Sequence, residues 1–223
     1  MATITAEALI GRDTLYTRGG KRVFDVVVAS LALVILAPLL VLVAVLVRMF
    51  HGSPVLFRQT RSGRGGRPFT ILKYRTMTME RDASGALLPD SRRLTAFGRF
   101  LRLTSVDELP ELLNVVKGDM SLVGPRPLHP RYDPYYTARE ARRLDVAPGI
   151  TGWAQINGRN GLAWDDRLAC DAWYVESCSF TLDLKILFLT GIKVLRREDI
   201  QVDPTLLPDL DAERRSRAAA KKE

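Results

Sequence analysis

Residues 104 to 127 read Thr-Ser-Val-Asp-Glu-Leu-Pro-Glu-Leu-Leu-Asn-Val-Val-Lys-Gly-Asp-Met-Ser-Leu-Val-Gly-Pro-Arg-Pro, and the rest of the chain is organised around them. Two adjacent acids, Asp107 and Glu108, open a short apolar helix that we expect to end at Gly118. Soon afterwards Arg126 stands between two prolines. The stretch therefore predicts that two carboxylates and a conformationally restricted cation lie close together.

The two acids have an ordinary structural interpretation as well as a functional one. Ser105 followed three residues later by Glu108 fits a capping box, and acids in a first helical turn complement the positive end of the helix dipole. A helix N-terminus also offers free N–H groups that bind phosphate, so Asp107 could meet a phosphorylated substrate there. Taken alone, the stretch favours capping.

Composition narrows the class of protein. A chain of 223 residues is long enough for one domain with a sizeable core. The net charge of +8 indicates an anionic partner, which could be nucleic acid, an anionic membrane surface or a phosphorylated small molecule. Two cysteines without further ligands do not make a structural zinc site and favour a cytosolic setting. With only two histidines, carboxylates are the better candidates for a catalytic base.

The strongest physical signal is an apolar run from Val26 to Val47 that contains no charged residue. Its length of 22 residues meets the criterion for a membrane-embedded helix, whereas a buried soluble helix or a cleaved signal peptide fits it poorly. Only Ser30 and Pro38 interrupt it.

The flanks of this run bear on its topology. Basic residues lie on both sides of it: Arg18, Lys21 and Arg22 before, and Arg48, Arg58, Arg61, Arg64 and Arg67 after. A spanning helix normally has such an excess on its cytoplasmic side only. Because a proline in mid-helix removes a hydrogen bond and bends the helix, Pro38 predicts a re-entrant helix that enters and leaves through one leaflet. A simple span is the alternative.

The remaining sequence predicts an α+β domain that is mainly helical. We expect a small β-hairpin over residues 53–79 and a basic amphipathic helix over 92–103. Further helices are expected over 163–178 and 182–195, the second suited to a membrane interface or to core packing. The predicted division is an N-terminal arm (1–20), a re-entrant membrane helix (21–50), one compact catalytic domain with interfacial amphipathic helices (51–200) and a polar, disordered tail (201–223).

Three sequence motifs, in this order along the chain, resemble those of a known protein family. Besides Asp107 to Pro127, they are Lys-Tyr-Arg-Thr-Met at 73–77 and Pro-Gly-Ile-Thr-Gly-Trp-Ala-Gln-Ile-Asn-Gly-Arg at 148–159. With them the chain resembles the bacterial monotopic phosphoglycosyl transferases from about Lys21 to Arg197, and in particular their small branch, typified by the bacillosamine-phosphate transferase. The resemblance implies transfer of a phospho-sugar from a UDP-sugar to polyprenol phosphate, release of UMP, and a requirement for Mg²⁺.

The resemblance also implies roles for individual residues. Asp107 matches the nucleophile that forms a covalent phospho-sugar intermediate, and Glu108 its partner, which handles the acceptor phosphate proton or the metal environment. Both are therefore the expected Mg²⁺ ligands. The positions matching the family's phosphate, metal or nucleotide ligands are Lys73, Arg102, Arg126 and Asp171. One departure is that Ala37-Pro38 stands where the family often has Ser-Pro.

The implied setting is the cytoplasmic face of a bacterial inner membrane, with membrane lipids as partners and no nucleic acid. An N-acetylated hexosamine or bacillosamine derivative is the expected sugar, and a homodimer is left open. The rival hypothesis is a non-catalytic, membrane-tethered basic protein that binds nucleic acid or anionic lipid. It leaves the acid pair and Gly-Pro-Arg-Pro without a purpose. A polytopic hexosamine-phosphate transferase is disfavoured because there is one long apolar run.

Overall fold

A computed structural model describes residues 14–158, 162–196 and 209–220 of the chain. The helices are α1 (Lys21–His51), α2 (Asp90–Arg93), α3 (Ala96–Leu103), α4 (Glu111–Lys117), α5 (Ala138–Ala141), α6 (Trp153–Ile156), α7 (Trp164–Ser177), α8 (Phe180–Arg196) and α9 (Leu210–Ala220). The strands are β1 (Leu56–Ser62), β2 (Pro68–Tyr74), β3 (Ser121–Val123) and β4 (Gly149–Thr151). The prediction of a mainly helical α+β chain is confirmed.

Helix α1 is the one helix of the described residues that is long and apolar enough to cross a membrane. Its outward side chains are exposed, among them Val27, Val34, Ile35, Val41 and Val45. An apolar stripe of this extent is not stable against water and marks a surface that meets lipid or another apolar partner. The structure thus agrees with a membrane-associated helix.

Both ends of α1 pack on the same domain. The fully buried residues of the first half are Asp25 and Ala29, and those of the second half are Val43, Val47 and His51. The backbone N–H of Leu122 in β3 donates to Asp25, and the Tyr74 hydroxyl donates to the carbonyl of Leu40. Neither half leaves the domain, which agrees with both ends lying on one side of a membrane. The helix continues through Pro38, and a re-entrant path stays a prediction.

The predicted hairpin is confirmed. Strands β1 and β2 pair antiparallel from Leu56 opposite Tyr74 to Ser62 opposite Pro68, and a glycine-rich turn joins them. Because side chains alternate along a strand, Lys73 points to the opposite face from Tyr74. Tyr74 packs with Val43 and Val47 of α1.

A second, parallel pair of short strands lies on either side of the Gly-Pro-Arg-Pro motif in the sequence, and the sequence did not predict it. Strand β3 pairs with β4, and the Gly124 N–H donates to the Thr151 carbonyl at 2.8 Å. The backbones approach so closely that a Cβ on Gly149 would lie 2.1 Å from the Gly124 nitrogen. This contact anchors the start of the segment that carries Arg126.

Two local predictions were wrong. Ser105 does not cap a helix: it adopts a left-handed conformation (φ 55°), and Val106–Glu108 form a single 3-10 turn before α4 begins at Glu111. The basic helix expected over 92–103 is broken into α2 and α3, because the Thr95 hydroxyl caps α3 by accepting from the Gly98 N–H.

The predicted disorder of residues 201–223 was wrong for the described part of that tail. Residues Leu210–Ala220 form α9, and Leu210 is fully buried among Tyr132 and Trp164. Arg214 of α9 also pairs with Glu140 at 2.6 Å. Burial of one apolar side chain together with ion pairs thus orders a segment whose composition is typical of disorder. The predicted arm includes a π-helical turn, Tyr16–Gly20, which leads directly into α1.

Candidate active site

One cavity of about 1370 Å³ opens between the hairpin, α3, the turn before α4 and α7. Six site residues were predicted in the catalytic domain, and all six line this cavity: Lys73, Arg102, Asp107, Glu108, Arg126 and Asp171. These side chains come from five separate parts of the chain, and the fold brings them to a single space.

The acid pair lies on the 3-10 turn Val106–Glu108 at the cavity wall. Glu108 Oε1 accepts from Lys73 Nζ at 2.5 Å and from Arg126 Nη2 at 2.8 Å. Asp107 is 8% exposed and lines the cavity. The two neighbouring carboxylates therefore have different surroundings, since Glu108 is held by two cations while Asp107 faces the cavity.

Their pKa values diverge accordingly. Burial favours the neutral form of Glu108, but Arg126 and Lys73 outweigh it and hold its pKa well below the ordinary value. Burial and the neighbouring negative charge of Glu108 raise the pKa of Asp107 to about 6, against the opposing effect of the nearby cations. At neutral pH both carboxylates are ionised, and Asp107 is the more basic of the two.

A third carboxylate, Glu111, escaped the sequence analysis. It is 1% exposed, and its Oε1 lies 3.1 Å from Lys73 Nζ. Burial, opposed by Lys73, raises its pKa to about 7. Its position three residues after Glu108 places it on the same helical face, which is the signal that could have identified it.

Asp171 contributes to the site by positioning another residue, Arg143. It forms a buried ion pair with Arg143 at 3.1 Å, and both side chains are 2% exposed. The Arg143 Nη2 donates in turn to the backbone carbonyl of Arg126 at 2.5 Å. Asp171 thus orients Arg143, and Arg143 fixes the backbone that presents Arg126. Nothing in the sequence distinguishes Arg143 from the other arginines of its charged segment.

Arg102 enters the cavity from α3. Its Nε donates to the Thr76 hydroxyl at 3.1 Å, which ties α3 to the segment after β2. The close approach of the two elements depends on Gly98, where a Cβ would lie 1.8 Å from the Thr76 carbonyl oxygen. Arg102 therefore adds positive charge to the wall that also carries Asp107.

The carboxylates of the cavity can be compared with the ligands that the implied Mg²⁺ would need. The described residues contain no group of three or more metal-ligating side chains. Mg²⁺ commonly takes one or two carboxylates together with substrate phosphates and water, so a full protein cage is not required. Asp107 and Glu108 provide two adjacent carboxylates, although Glu108 Oε1 already accepts from two cations. The residues fit an ion that arrives with a diphosphate and takes most of its ligands from it.

The sequence of the chain is similar to those of known proteins. The family model described as bacterial sugar transferase matches residues 16–197. The chain is 56% identical over 181 residues to the uncharacterized sugar transferase EpsL of Bacillus subtilis, covering 81% of this chain and 90% of that protein. It is 46% identical over 189 residues to the UDP-glucose:undecaprenyl-phosphate glucose-1-phosphate transferase of Caulobacter vibrioides, covering 80% and 71%. It is 38% identical over 198 residues to the undecaprenyl-phosphate galactose phosphotransferase of Salmonella typhimurium, covering 80% and 41%.

Proposed function

The chain belongs to the bacterial sugar transferase family, and from that premise we propose that it moves a phospho-sugar from a UDP-sugar to undecaprenyl phosphate. The products are UMP and undecaprenyl-diphosphate-sugar, the first membrane-bound intermediate of a glycoconjugate. The observation that carries the proposal is the cavity in which Asp107 lies beside Glu108, Lys73 and Arg126.

In the first step a carboxylate oxygen of Asp107 attacks the phosphorus that bears the sugar. The P–O bond to UMP breaks, and UMP leaves with the bonding electrons on its phosphate oxygen. An aspartyl phospho-sugar ester remains. Splitting one displacement between two anions into two steps lowers each barrier, provided that the charge is screened. Because its pKa lies near 6, Asp107 is ionised at neutral pH and stays nucleophilic.

In the second step an oxygen of undecaprenyl phosphate attacks the same phosphorus. The bond to Asp107 breaks, and the free carboxylate returns to its starting state. A doubly ionised acceptor phosphate needs no base for this attack. The low pKa of Glu108 makes that residue a poor proton acceptor, so we assign it the role of holding Lys73 and Arg126 in position.

The cations serve both steps. Arg126 presents a planar guanidinium suited to phosphate oxygens, and its backbone is held by Arg143. Lys73 and Arg102 line the same space and add to the positive potential. Mg²⁺, held by Asp107 and Glu108 with oxygens of the donor, would neutralise charge on the diphosphate when bound.

Helix α1 explains how the two substrates meet. A nucleotide sugar is soluble, whereas undecaprenyl phosphate is confined to the membrane. The exposed apolar face of α1 supports a location of the cavity next to the lipid. We propose the cytoplasmic face of the inner membrane as the location, with α1 re-entrant and no nucleic acid partner.

Two classes of donor sugar have to be compared. The sequence predicts an N-acetylated hexosamine or bacillosamine derivative, whereas the named relatives act on glucose or galactose. The donor panel therefore has to include both classes: UDP-glucose and UDP-galactose, and UDP-N-acetylhexosamines with a bacillosamine derivative.

Release of UMP tests the proposal. The protein, embedded in nanodiscs with undecaprenyl phosphate, is assayed with each donor of the panel, with and without Mg²⁺. We expect UMP release with at least one donor and only in the presence of Mg²⁺. Release should continue over many turnovers when the lipid is present and stop after a single turnover without it, and Asp107→Asn should release none. Full activity of Asp107→Asn would remove the nucleophile from the proposal.

A further inference from the structure

Arg75 is a buried cation that the reaction above does not use. It lies just beyond β2, is 5% exposed and lines the cavity. Its Nη1 donates to the carbonyl of Ser53 at 2.9 Å. Among the residues that the structure describes, neither its Nε nor its Nη2 has a hydrogen-bond partner, and it makes no ion pair with a described carboxylate.

A guanidinium in this state is costly. A buried N–H without an acceptor loses its hydration and gains nothing in return, and the loss is larger for a charged group. Three other cations of the cavity have carboxylate partners: Glu108 contacts Lys73 and Arg126, and Asp171 contacts Arg143. Arg75 thus has the unmet hydrogen-bonding capacity that an incoming anion would satisfy.

The position of Arg75 indicates which anion. Gly52 ends α1, and a Cβ on Gly52 would lie 3.6 Å from Arg75 Nη2. The guanidinium therefore lies at the point where the chain leaves the apolar helix. A ligand entering the cavity from the lipid beside α1 passes Arg75.

The lining of the cavity also includes an apolar wall, whose side chains are Val55, Leu56, Phe57, Met77, Met79 and Leu87. Val55 and Leu56 pack against the cluster that contains Val43 and Val47 of α1, so this end of the wall adjoins α1. Phe57 and Met79 are 42% and 48% exposed. An unpaired cation in the same cavity as this apolar wall suits a ligand with a phosphate head and a hydrocarbon chain.

On the basis of the proposed function, we propose that Arg75 and this apolar wall form the subsite for the lipid acceptor. Arg75 binds the phosphate monoester of a polyprenyl phosphate, and the wall covers its first isoprene units. The donor diphosphate binds apart from it, at Lys73 and Arg126. The acceptor phosphate is then held at the membrane end of the cavity in which Asp107 carries the phospho-sugar.

A purely structural role for Arg75 makes a different prediction. A cation at the end of α1 complements the negative end of its dipole, and the bond to Ser53 fits this. That role leaves Nε and Nη2 unexplained. If it were the whole role, replacing Arg75 would lower the melting temperature without changing affinity for a prenyl phosphate.

The test measures binding, independent of turnover, to the full-length protein in detergent. The probes are a short-chain prenyl phosphate, the corresponding uncharged prenol, and UDP as the other source of phosphate. The variants are Arg75→Gln, Arg75→Lys and, as matched control, Arg92→Gln, which removes an exposed cation of α2 that does not line the cavity. Melting temperatures are recorded in parallel.

We expect Arg75→Gln to weaken prenyl phosphate binding about tenfold or more, as loss of a charge-assisted hydrogen bond predicts. Binding of prenol and UDP should stay within about twofold, and Arg75→Lys should recover part of the loss. Arg92→Gln should resemble the wild type. Unchanged prenyl phosphate binding in Arg75→Gln, or a loss shared equally with UDP, would overturn the inference. Wild-type binding without UMP release from any donor would instead count against the proposed reaction.

Discussion

At the scale of single residues, the central feature is the asymmetry between Asp107 and Glu108. They are neighbours in sequence, yet Lys73 and Arg126 bind Glu108 while Asp107 faces the cavity. Glu108 is therefore engaged by two cations, whereas Asp107 is free for the nucleophilic role that we propose for it. Pairs of titratable groups whose surroundings push their pKa values apart are typical of active sites.

This asymmetry predicts a pH dependence. Asp107 attacks only when ionised, so kcat/KM should rise with pH through about 6, the pKa of Asp107. In Glu108→Gln a neighbouring negative charge is lost and two cations are released, so the pKa of Asp107 falls. Glu108→Gln should be less active, and we expect the rise of its kcat/KM with pH to move to lower pH. Glu80→Gln, an exposed control, should keep the wild-type pH dependence. A rise that stays in place in Glu108→Gln would contradict the coupling.

The second residue-scale prediction concerns the buried pair of Asp171 and Arg143. Asp171→Asn leaves a buried guanidinium without its counter-ion, and we expect the free energy of unfolding to fall by about 3–5 kcal/mol. The double variant Asp171→Leu with Arg143→Met should recover most of that stability. It should not recover activity, because the carbonyl of Arg126 has lost its donor. Denaturant unfolding and UMP release in detergent measure the two effects. If the double variant were fully active, Arg143 would not position Arg126.

At the scale of elements, the sequence predicted the helices and strands that are specified by hydrophobic periodicity and by turn residues. The hairpin alternates apolar and polar residues around a glycine turn, and α7 and α8 have helical spacing, so all three were predicted. It did not predict β3 and β4, whose three-residue strands carry no pattern of their own. It also misassigned Ser105, because a left-handed residue is set by the tertiary contacts of the site and not by local propensity.

The parallel pair provides an element-scale prediction. In Gly149→Ala the new methyl group would lie 2.1 Å from the Gly124 nitrogen, so the strands have to separate. We expect a loss of about 1–3 kcal/mol in stability and a larger loss of activity than stability explains, since Arg126 follows Gly124 by two residues. Gly65→Ala is the control for a glycine with open space around its Cβ, although its positive φ costs some strain. Wild-type activity in Gly149→Ala would show that the site tolerates movement of this anchor.

At the scale of the whole molecule, the sequence identified the family and the enzyme class, and the comparisons confirm both. Its motifs also named six side chains that the fold brings to one cavity. It could not assign Arg143 or Arg75, because their importance comes from burial and from partners distant in sequence. The same holds for α9, where Leu210 is buried by a surface that only the folded domain provides.

The packing of both ends of α1 on one domain predicts the topology. Single cysteines at Gly19 and Arg58, in a background with Cys170→Ser and Cys178→Ala, are labelled with a membrane-impermeant maleimide. We expect both to be protected in intact cells and both to react after permeabilisation, as the proposed cytoplasmic location of both ends requires. In Pro38→Ala we expect a straighter helix and a fraction with one accessible end. Protection of only one end in the parent would establish a spanning helix.

The central claim is that Asp107 carries the phospho-sugar, and trapping that intermediate tests it most directly. The purified protein with Mg²⁺ is incubated with the active UDP-sugar in the absence of undecaprenyl phosphate, quenched, and analysed by intact-protein and peptide mass spectrometry. We predict a mass increase equal to one sugar phosphate on the peptide that contains Asp107, lost on addition of undecaprenyl phosphate and absent from Asp107→Asn. UMP release that proceeds without any modified peptide, or a modification on another residue, would contradict it.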